Sequence, residues 1–388
     1  MTSLTQFSHL KVALVHDWLV GQRGGEQVLG QLCTLFANAP IFTLVHRPGS
    51  VDDRIGSHSI TQSFIGKATR RSCRFRHLLP LFPAAIEAFD LRGFDVVIST
   101  SHCVAHGVRT PPGTVHLSYV HTPMRYLYDQ MHHYLPKPLR PLTAPLARLA
   151  TAPLRRWDRR AAMGPTALLA NSAYVAERIA RVWGREAEVV HPPVNIEAFV
   201  RVPQARHKKG LLWVGALVPY KRVDLCIMAS AKAQVPLTIV GRGPEEARLR
   251  ALAGPQVHFL GDVSQQQLQQ LYASHEALIY PGEEDFGIVP VEAMAAGCPV
   301  LALGRGGLKE TVRPDGPKAT GVWVQQDSAQ GFADGFAKLR AMRAQNLLTP
   351  EVLREHVQHF APNVFAQKIA AALSRHLGAA SLARPVGL

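Results

Sequence analysis

Cysteine is scarce in this chain of 388 residues, and the five present (Cys33, Cys73, Cys103, Cys226, Cys298) are odd in number, far apart and without a Cys-x-x-Cys pair. That argues against a disulfide framework or a thiolate zinc site and makes a reducing cytoplasm the expected home. No segment has the 18 or more apolar residues that a membrane-spanning helix needs. The opening residues, Met1 to Leu10, carry no basic stretch ahead of an apolar run, and the run from Val12 to Val15 is cut by His16 and Asp17, so a buried strand is expected there rather than a signal peptide. Aromatic residues make up only 7% of the chain and are scattered. With neither a stacking platform nor a DNA-reading helix pair, no nucleic-acid partner is expected. No Gly-x-Gly-x-x-Gly occurs, so a dinucleotide cofactor is not indicated.

Acidic residues are also in short supply: 28 Asp and Glu face 43 Lys and Arg, a formal charge of +15 that implies attraction to something anionic. The excess is clustered. Lys67, Arg70, Arg71, Arg74 and Arg76 fall within ten residues, and Lys137, Arg140, Arg148, Arg155, Arg156, Arg159 and Arg160 within twenty-four, with only Asp158 against them. Both clusters alternate with apolar residues, among them Phe64, Leu81, Leu142 and Leu149, a pattern suited to peripheral contact with an anionic inner-membrane surface. A solvated helix face with snorkelling arginines is the alternative reading.

Hydrophobic residues, at 47%, supply more than one core, and the length favours two domains. Short runs of Val, Ile and Leu alternate with helical patterns, the signature of α/β units with parallel sheets. Strands are expected at Lys11–His16, Pro40–His46, Phe94–Thr100, Thr114–Val120, Thr166–Asn171 and Glu188–His191. The rhythm restarts with Gly210–Gly215, Leu237–Gly241, Val257–Leu260, Ala277–Tyr280, Pro299–Leu303 and Gly321–Val324. This gives a first doubly wound domain over 1–195, a second over 205–360, and a terminal helix with tail over 361–388 that packs back towards the first. The hinge falls in the Pro-containing, basic segment from Pro192 to Gly210. Ligands bind beyond the carboxyl ends of strands in such sheets, so two facing units would share one cleft.

The sharpest constellation runs from Tyr280 through Glu283-Glu284-Asp285-Phe286-Gly287-Ile288 to Glu292 and Gly297. A strand should end near Tyr280 and a helix begin near Ile288, leaving free backbone N–H groups around Phe286, Gly287 and Ile288 at the positive end of the helix dipole, an anion site suited to a diphosphate. Glu284 in the loop and Glu292 one turn into the helix are acceptors for hydroxyl groups. A merely solvated acidic loop is the other reading. In the first half, Gly24 and Gly25 lie between the opening strand and a helix, where glycine lets backbone approach a phosphate or sugar. His121 closes the strand that Pro123 terminates. Six of the 18 histidines fall between His102 and His133, yet no carboxylate or thiolate completes a zinc spacing.

Glu284 and Glu292, separated by seven residues, resemble the glutamate pair of glycosyltransferase family 4. The similarity extends through Val15-His16-Asp17-Trp18, Gly24-Gly25-Glu26, Tyr119-Val120-His121-Thr122-Pro123, Arg156-Trp157-Asp158-Arg159-Arg160, Val218-Pro219-Tyr220-Lys221-Arg222 and Gly304-Arg305-Gly306-Gly307, and looks closest to the O-antigen mannosyltransferase branch similar to WbaZ. The resemblance implies the GT-B fold, two Rossmann-like domains facing across a cleft, and retaining transfer of a hexose from a nucleotide-sugar donor, GDP-mannose foremost and a UDP-hexose next, with a nucleotide-sugar epimerase or hydrolase on the same fold as the alternative. The acceptor would be a saccharide or a polyprenyl-diphosphate-linked saccharide. It also implies catalytic roles for Glu284, His121 and Lys221. Donor contacts would come from Gly24, Gly25, Lys221, Arg222, Asp285, Phe286, Gly287, Ile288 and Glu292. Asp-x-Asp, the short acidic motif for a metal-bound sugar nucleotide, is missing, so no metal and no cofactor are expected. Two positions depart from the family pattern: Ala216 stands where relatives carry arginine, and Arg242 where they carry aspartate.

Overall fold

The computed structural model of the chain describes residues 7–69, 75–128 and 140–382. Arg70, Arg71, Cys73, Arg74, His132, His133, Lys137 and the tail past Leu382 lie outside the described residues, as do the side chains of Arg140, Leu142 and Arg148. Two compact units emerge: Met1–Pro193 with Pro362–Leu388, and Val194–Ala361.

The first unit holds seven parallel strands, β1 (Val12–His16), β2 (Ile41–Thr43), β3 (Ile60–Gln62), β4 (Val96–Ser101), β5 (Val115–Val120), β6 (Ala167–Ala170) and β7 (Glu188–Val189), in the order β3-β2-β1-β4-β5-β6-β7. The side chains of β1, β4 and β5 are buried throughout, because helices cover both sheet faces. Alternation sends Leu14, Ile98 and Leu117 to one face, against Val28, Leu29 and Leu32 of the Gly24–Leu35 helix, and Ala13, Val15 and Val97 to the other, against Phe82 and Ile86. Phe365, Ile369 and Leu373 of the Pro362–Leu382 helix complete the first of these cores, with the Phe365 ring 5.8 Å from that of Tyr119.

The second unit is a six-stranded parallel sheet of β8 (Lys209–Val214), β9 (Leu237–Val240), β10 (Val257–Gly261), β11 (His275–Tyr280), β12 (Val300–Leu303) and β13 (Gly321–Val324), ordered β10-β9-β8-β11-β12-β13. Leu211, Trp213 and Ile279 pack under the Val223–Ala233 and Ala329–Ala344 helices, while Leu212, Leu278 and Tyr280 pack under the Ile288–Ala295 helix. The segment after Pro193 is part of this unit: Val194, Ile196 and Phe199 are buried in its core.

Two expectations from the sequence need correction. The run Pro40–His46 pairs as a strand only over Ile41–Thr43, because His46 leaves the ladder to take the Gln62 side-chain oxygen and to bridge Leu19. The sequence offers no signal for the edge strand β3, whose three residues, two half-buried and Thr61 exposed, are too few to show a pattern. Among the described residues no helix is long and apolar enough to cross a membrane.

Candidate functional site

In the second unit β8 and β11 are neighbours from which the chain departs to opposite sides, so their carboxyl ends bracket the switch point where such sheets bind ligands. Beyond β8 the chain passes Gly215 and enters one 3-10 turn, Pro219–Lys221. Gly215 has φ 153°, and a Cβ there would stand 3.3 Å from the Lys221 ammonium. Beyond β11 the chain runs over that turn, with the place of a Gly282 Cβ only 3.1 Å from the Lys221 Cα.

These two turns bring together residues 59 and 63 positions apart. Lys221 Nζ lies 3.1 Å from Glu284 Oε1 and donates to the Tyr280 phenol oxygen at 2.9 Å, while the Tyr280 hydroxyl donates to the same carboxylate oxygen at 2.8 Å. The Lys221 and Glu284 side chains keep 14% and 20% of their exposure, so a ligand can reach them although bulk water screens them little. Burial alone would weaken the Lys221 ammonium, but the Glu284 carboxylate and the Tyr280 oxygen outweigh it and hold its pKa above the ordinary lysine value. Lys221 is therefore a fixed positive charge at neutral pH.

The Glu284 backbone is clamped from behind. Its carbonyl accepts from Gly307 N–H at 2.8 Å and it forms a parallel bridge with Gly306, where a Cβ would fall 2.4 Å from the Glu284 oxygen. Only glycine fits there, which explains the Gly304-Arg305-Gly306-Gly307 segment. Gly287, at φ 97°, then turns the chain into the Ile288–Ala295 helix. The Phe286 side chain enters the core, its ring 5.3 Å from that of Phe360. Glu292 accepts from the buried Tyr272 hydroxyl at 3.4 Å. The helix closes at Gly297 with bonds from Gly297 N to Met294 O and from Cys298 N to Ala293 O, a Schellman motif.

Arg222 and Arg305 converge on Asp327: Arg222 Nη1 is 3.6 Å and Arg305 Nη1 3.1 Å from its carboxylate. Asp327 carried no signal in the sequence. Arg242 faces Asp262 at 3.3 Å.

In the first unit β1 and β4 bracket the switch point. Asp17, fully buried, accepts four backbone N–H bonds of 2.7–2.8 Å from residues 102–105 and lies 3.2 Å from His102 Nδ1. Burial would raise its pKa, but the His102 and His16 imidazoles and these amides outweigh it and hold the carboxyl below its usual range. Gly24 opens the Gly24–Leu35 helix, and the Arg23 N–H is satisfied by Glu26 at 2.9 Å. A Cβ on Gly25 would touch His121 Nε2 at 3.5 Å and the His16 ring at 3.6 Å. The His121 carbonyl is already engaged by Asn171 Nδ2 at 3.0 Å, whereas its ring Nε2 has no hydrogen-bond partner among the described residues. Burial, with the His102 and His16 rings nearby, lowers its pKa to about 3, so the ring is neutral.

The histidine-rich stretch divides into separate tasks: His116 bonds Ser99 at 2.8 Å and His106 lies 3.4 Å from Asp158. Among the described residues no group of three or more His, Cys, Asp or Glu side chains is placed to hold a metal ion. Asp158 itself is not a surface counter-charge to the basic cluster around it. It is fully buried and accepts from Trp183 Nε1 at 2.6 Å and Tyr128 at 2.7 Å.

Two parallel, doubly wound units of this kind in one chain define the Rossmann-like α/β architecture of the GT-B glycosyltransferases. Residues 195–356, within the second unit, match the family described as Glycosyl transferases group 1. The chain is 35% identical over 146 residues to a GDP-mannose-dependent alpha-mannosyltransferase of Mycolicibacterium smegmatis, a match covering 36% of this chain and 38% of that protein. It spans about two fifths of the length of the curated relatives it matches first. Among solved structures, sucrose-phosphate synthase of Thermosynechococcus elongatus is similar at a TM-score of 0.71 and 20% identity, over 96% of this chain and 100% of that one. HepE of Anabaena, in complex with UDP and glucose, follows at 0.66 and 17%, over 94% and 100%. At these identities the likeness shows the fold.

Proposed function

We propose that the chain is a retaining, metal-independent glycosyltransferase of family 4, similar to the O-antigen mannosyltransferase branch. It transfers a hexose, mannose from GDP-mannose foremost, to a saccharide or polyprenyl-diphosphate-linked acceptor. The observation that carries this reading is the Lys221, Tyr280 and Glu284 cluster at the switch point, one turn from the start of the Ile288–Ala295 helix. A departing nucleoside diphosphate gains negative charge as the glycosidic bond breaks. A preorganised ammonium and helix-end amides stabilise that charge more in the transition state than in the ground state, which is what lowers a barrier.

In this reading Glu292 takes the ribose hydroxyls, Lys221 and the amides near Gly287 take the diphosphate, and Glu284 takes the sugar hydroxyls. Arg222 and Arg305 add positive charge where Ala216 supplies none. In the first unit, Gly24, Gly25 and the neutral His121 ring serve the sugar and acceptor. The acceptor oxygen attacks the anomeric carbon on the face the diphosphate leaves, and a phosphate oxygen takes its proton, so no separate general base is needed. The 35% identity to a GDP-mannose-dependent enzyme supports mannose. The UDP bound by HepE keeps UDP-hexoses as the second donor class.

A screen of GDP-mannose and UDP-hexoses, scored by transfer to cell-envelope extract, tests the reading. Glu284→Ala should lower transfer at least ~100-fold, the scale of losing a charged transition-state contact, with the melting temperature held. Undiminished transfer by a folded Glu284→Ala protein overturns the assignment.

A further inference from the structure

Lys221 and Glu284 are opposite charges that attract each other without help, yet the structure adds a third group between them. Tyr280 ends β11 with its ring fully buried and its hydroxyl against both charges, 2.9 Å from Lys221 Nζ and 2.8 Å from Glu284 Oε1. A phenol has one proton. An ammonium can only donate and a carboxylate only accept, so the direction of both bonds is fixed: the Tyr280 oxygen accepts from Lys221 and its O–H goes to Glu284. Burial, with Glu284 beside it, raises the phenol's pKa above the ordinary value and keeps that proton in place.

A bare lysine and glutamate at the ends of flexible stems would sample many paired geometries. Tethered to a β11 side chain that cannot move, both are held in one. We infer that Tyr280 is a positioning residue that sets the Lys221 ammonium and the Glu284 carboxylate in register for leaving group and sugar together. This rests on the reading of the second unit as a donor site.

The test is Tyr280→Phe, which keeps the buried ring and removes one oxygen. Two measurements are made. In the first, transfer is assayed with the donor that the wild type uses. Positioning predicts that kcat falls about tenfold, the scale of one hydrogen bond to a charged group, while KM for the donor changes less than about twofold. A merely structural role lowers the melting temperature and the folded fraction but leaves kcat per folded molecule unchanged, and that result overturns the inference. The second measurement needs no turnover: the rate at which acetic anhydride labels Lys221 at pH 9, read by peptide mass spectrometry. Removing the phenol acceptor should raise it at least about threefold, because a freed amine deprotonates more readily; an unchanged rate overturns the inference. Should the wild type use no nucleotide sugar, the functional reading fails while the labelling rate still decides whether Tyr280 holds Lys221.

Discussion

At the residue scale two glycines, one at the candidate site and one in the Pro362–Leu382 helix of the first unit, make opposite predictions. Gly287 starts the Ile288–Ala295 helix at φ 97°, and a Cβ there would meet a Leu308 methyl at 2.8 Å. Gly287→Ala should therefore destabilise the second unit by about 1–3 kcal/mol, the cost of a non-glycine residue held in that region. Gly378 lies inside the Pro362–Leu382 helix with nothing near the place of its Cβ. Gly378→Ala should stabilise by about 0.5–1 kcal/mol through helix propensity alone. Chemical denaturation of both variants checks the signs; equal shifts in one direction would remove the backbone argument. Glu284, Glu292 and Lys221 were legible in the sequence because a strand, a turn and a helix start fix where such residues fall. Tyr280 was visible only as the end of a strand, since nothing local says that its hydroxyl meets a lysine 59 residues earlier. Asp327 was invisible, because it reaches Arg222 and Arg305 only through the β12 to β13 crossover.

At the scale of elements, the parallel strands were readable because burial on both faces leaves a continuous apolar run such as Val12-Ala13-Leu14-Val15. The three residues of β3, none of them fully buried, leave no such run. The Arg140–Ala161 helix was read as basic from its composition, but its sidedness came only with the structure. Trp157 and Asp158 turn inward, and Arg156, Arg159 and Arg160 are exposed, with Leu149 at 72% exposure near them. Asp158 is withdrawn into the interior, and Glu87, from outside the basic cluster, lies 4.0 Å from Arg160. If this face meets an anionic membrane, the protein should bind vesicles containing anionic lipid at low salt. An Arg156→Glu, Arg159→Glu double variant should weaken that binding by at least about tenfold, at roughly 1 kcal/mol per basic residue near the surface. Co-sedimentation at two salt concentrations checks this, and equal binding by wild type and variant would exclude the helix as the contact.

For the whole molecule the buried histidines set the response to acid. Burial lowers the pKa of His116 and His121 to about 3 in the first unit and of His275 and His356 to about 4 in the second. The Leu271 and Thr311 carbonyls, which accept from His275 and His356, work in the other direction, but burial outweighs them. A free histidine titrates near 6.5. Above that value folded and unfolded chains hold these rings alike and their stabilising effect is full. As pH falls below it the unfolded chain takes up protons that the folded chain refuses, so stability falls until the folded values are reached. Between about pH 6.5 and 4 each histidine costs up to ~1.4 kcal/mol per pH unit, as linkage requires. Both units carry such rings, so each should lose stability on the acid side. Calorimetric scans from pH 7.5 to 5 should show every unfolding transition moving to lower temperature. His275→Gln, which removes one titrating ring from the second unit, should flatten the decline of that unit's transition alone; a transition temperature constant over this range would mean that these rings are not held neutral by the fold.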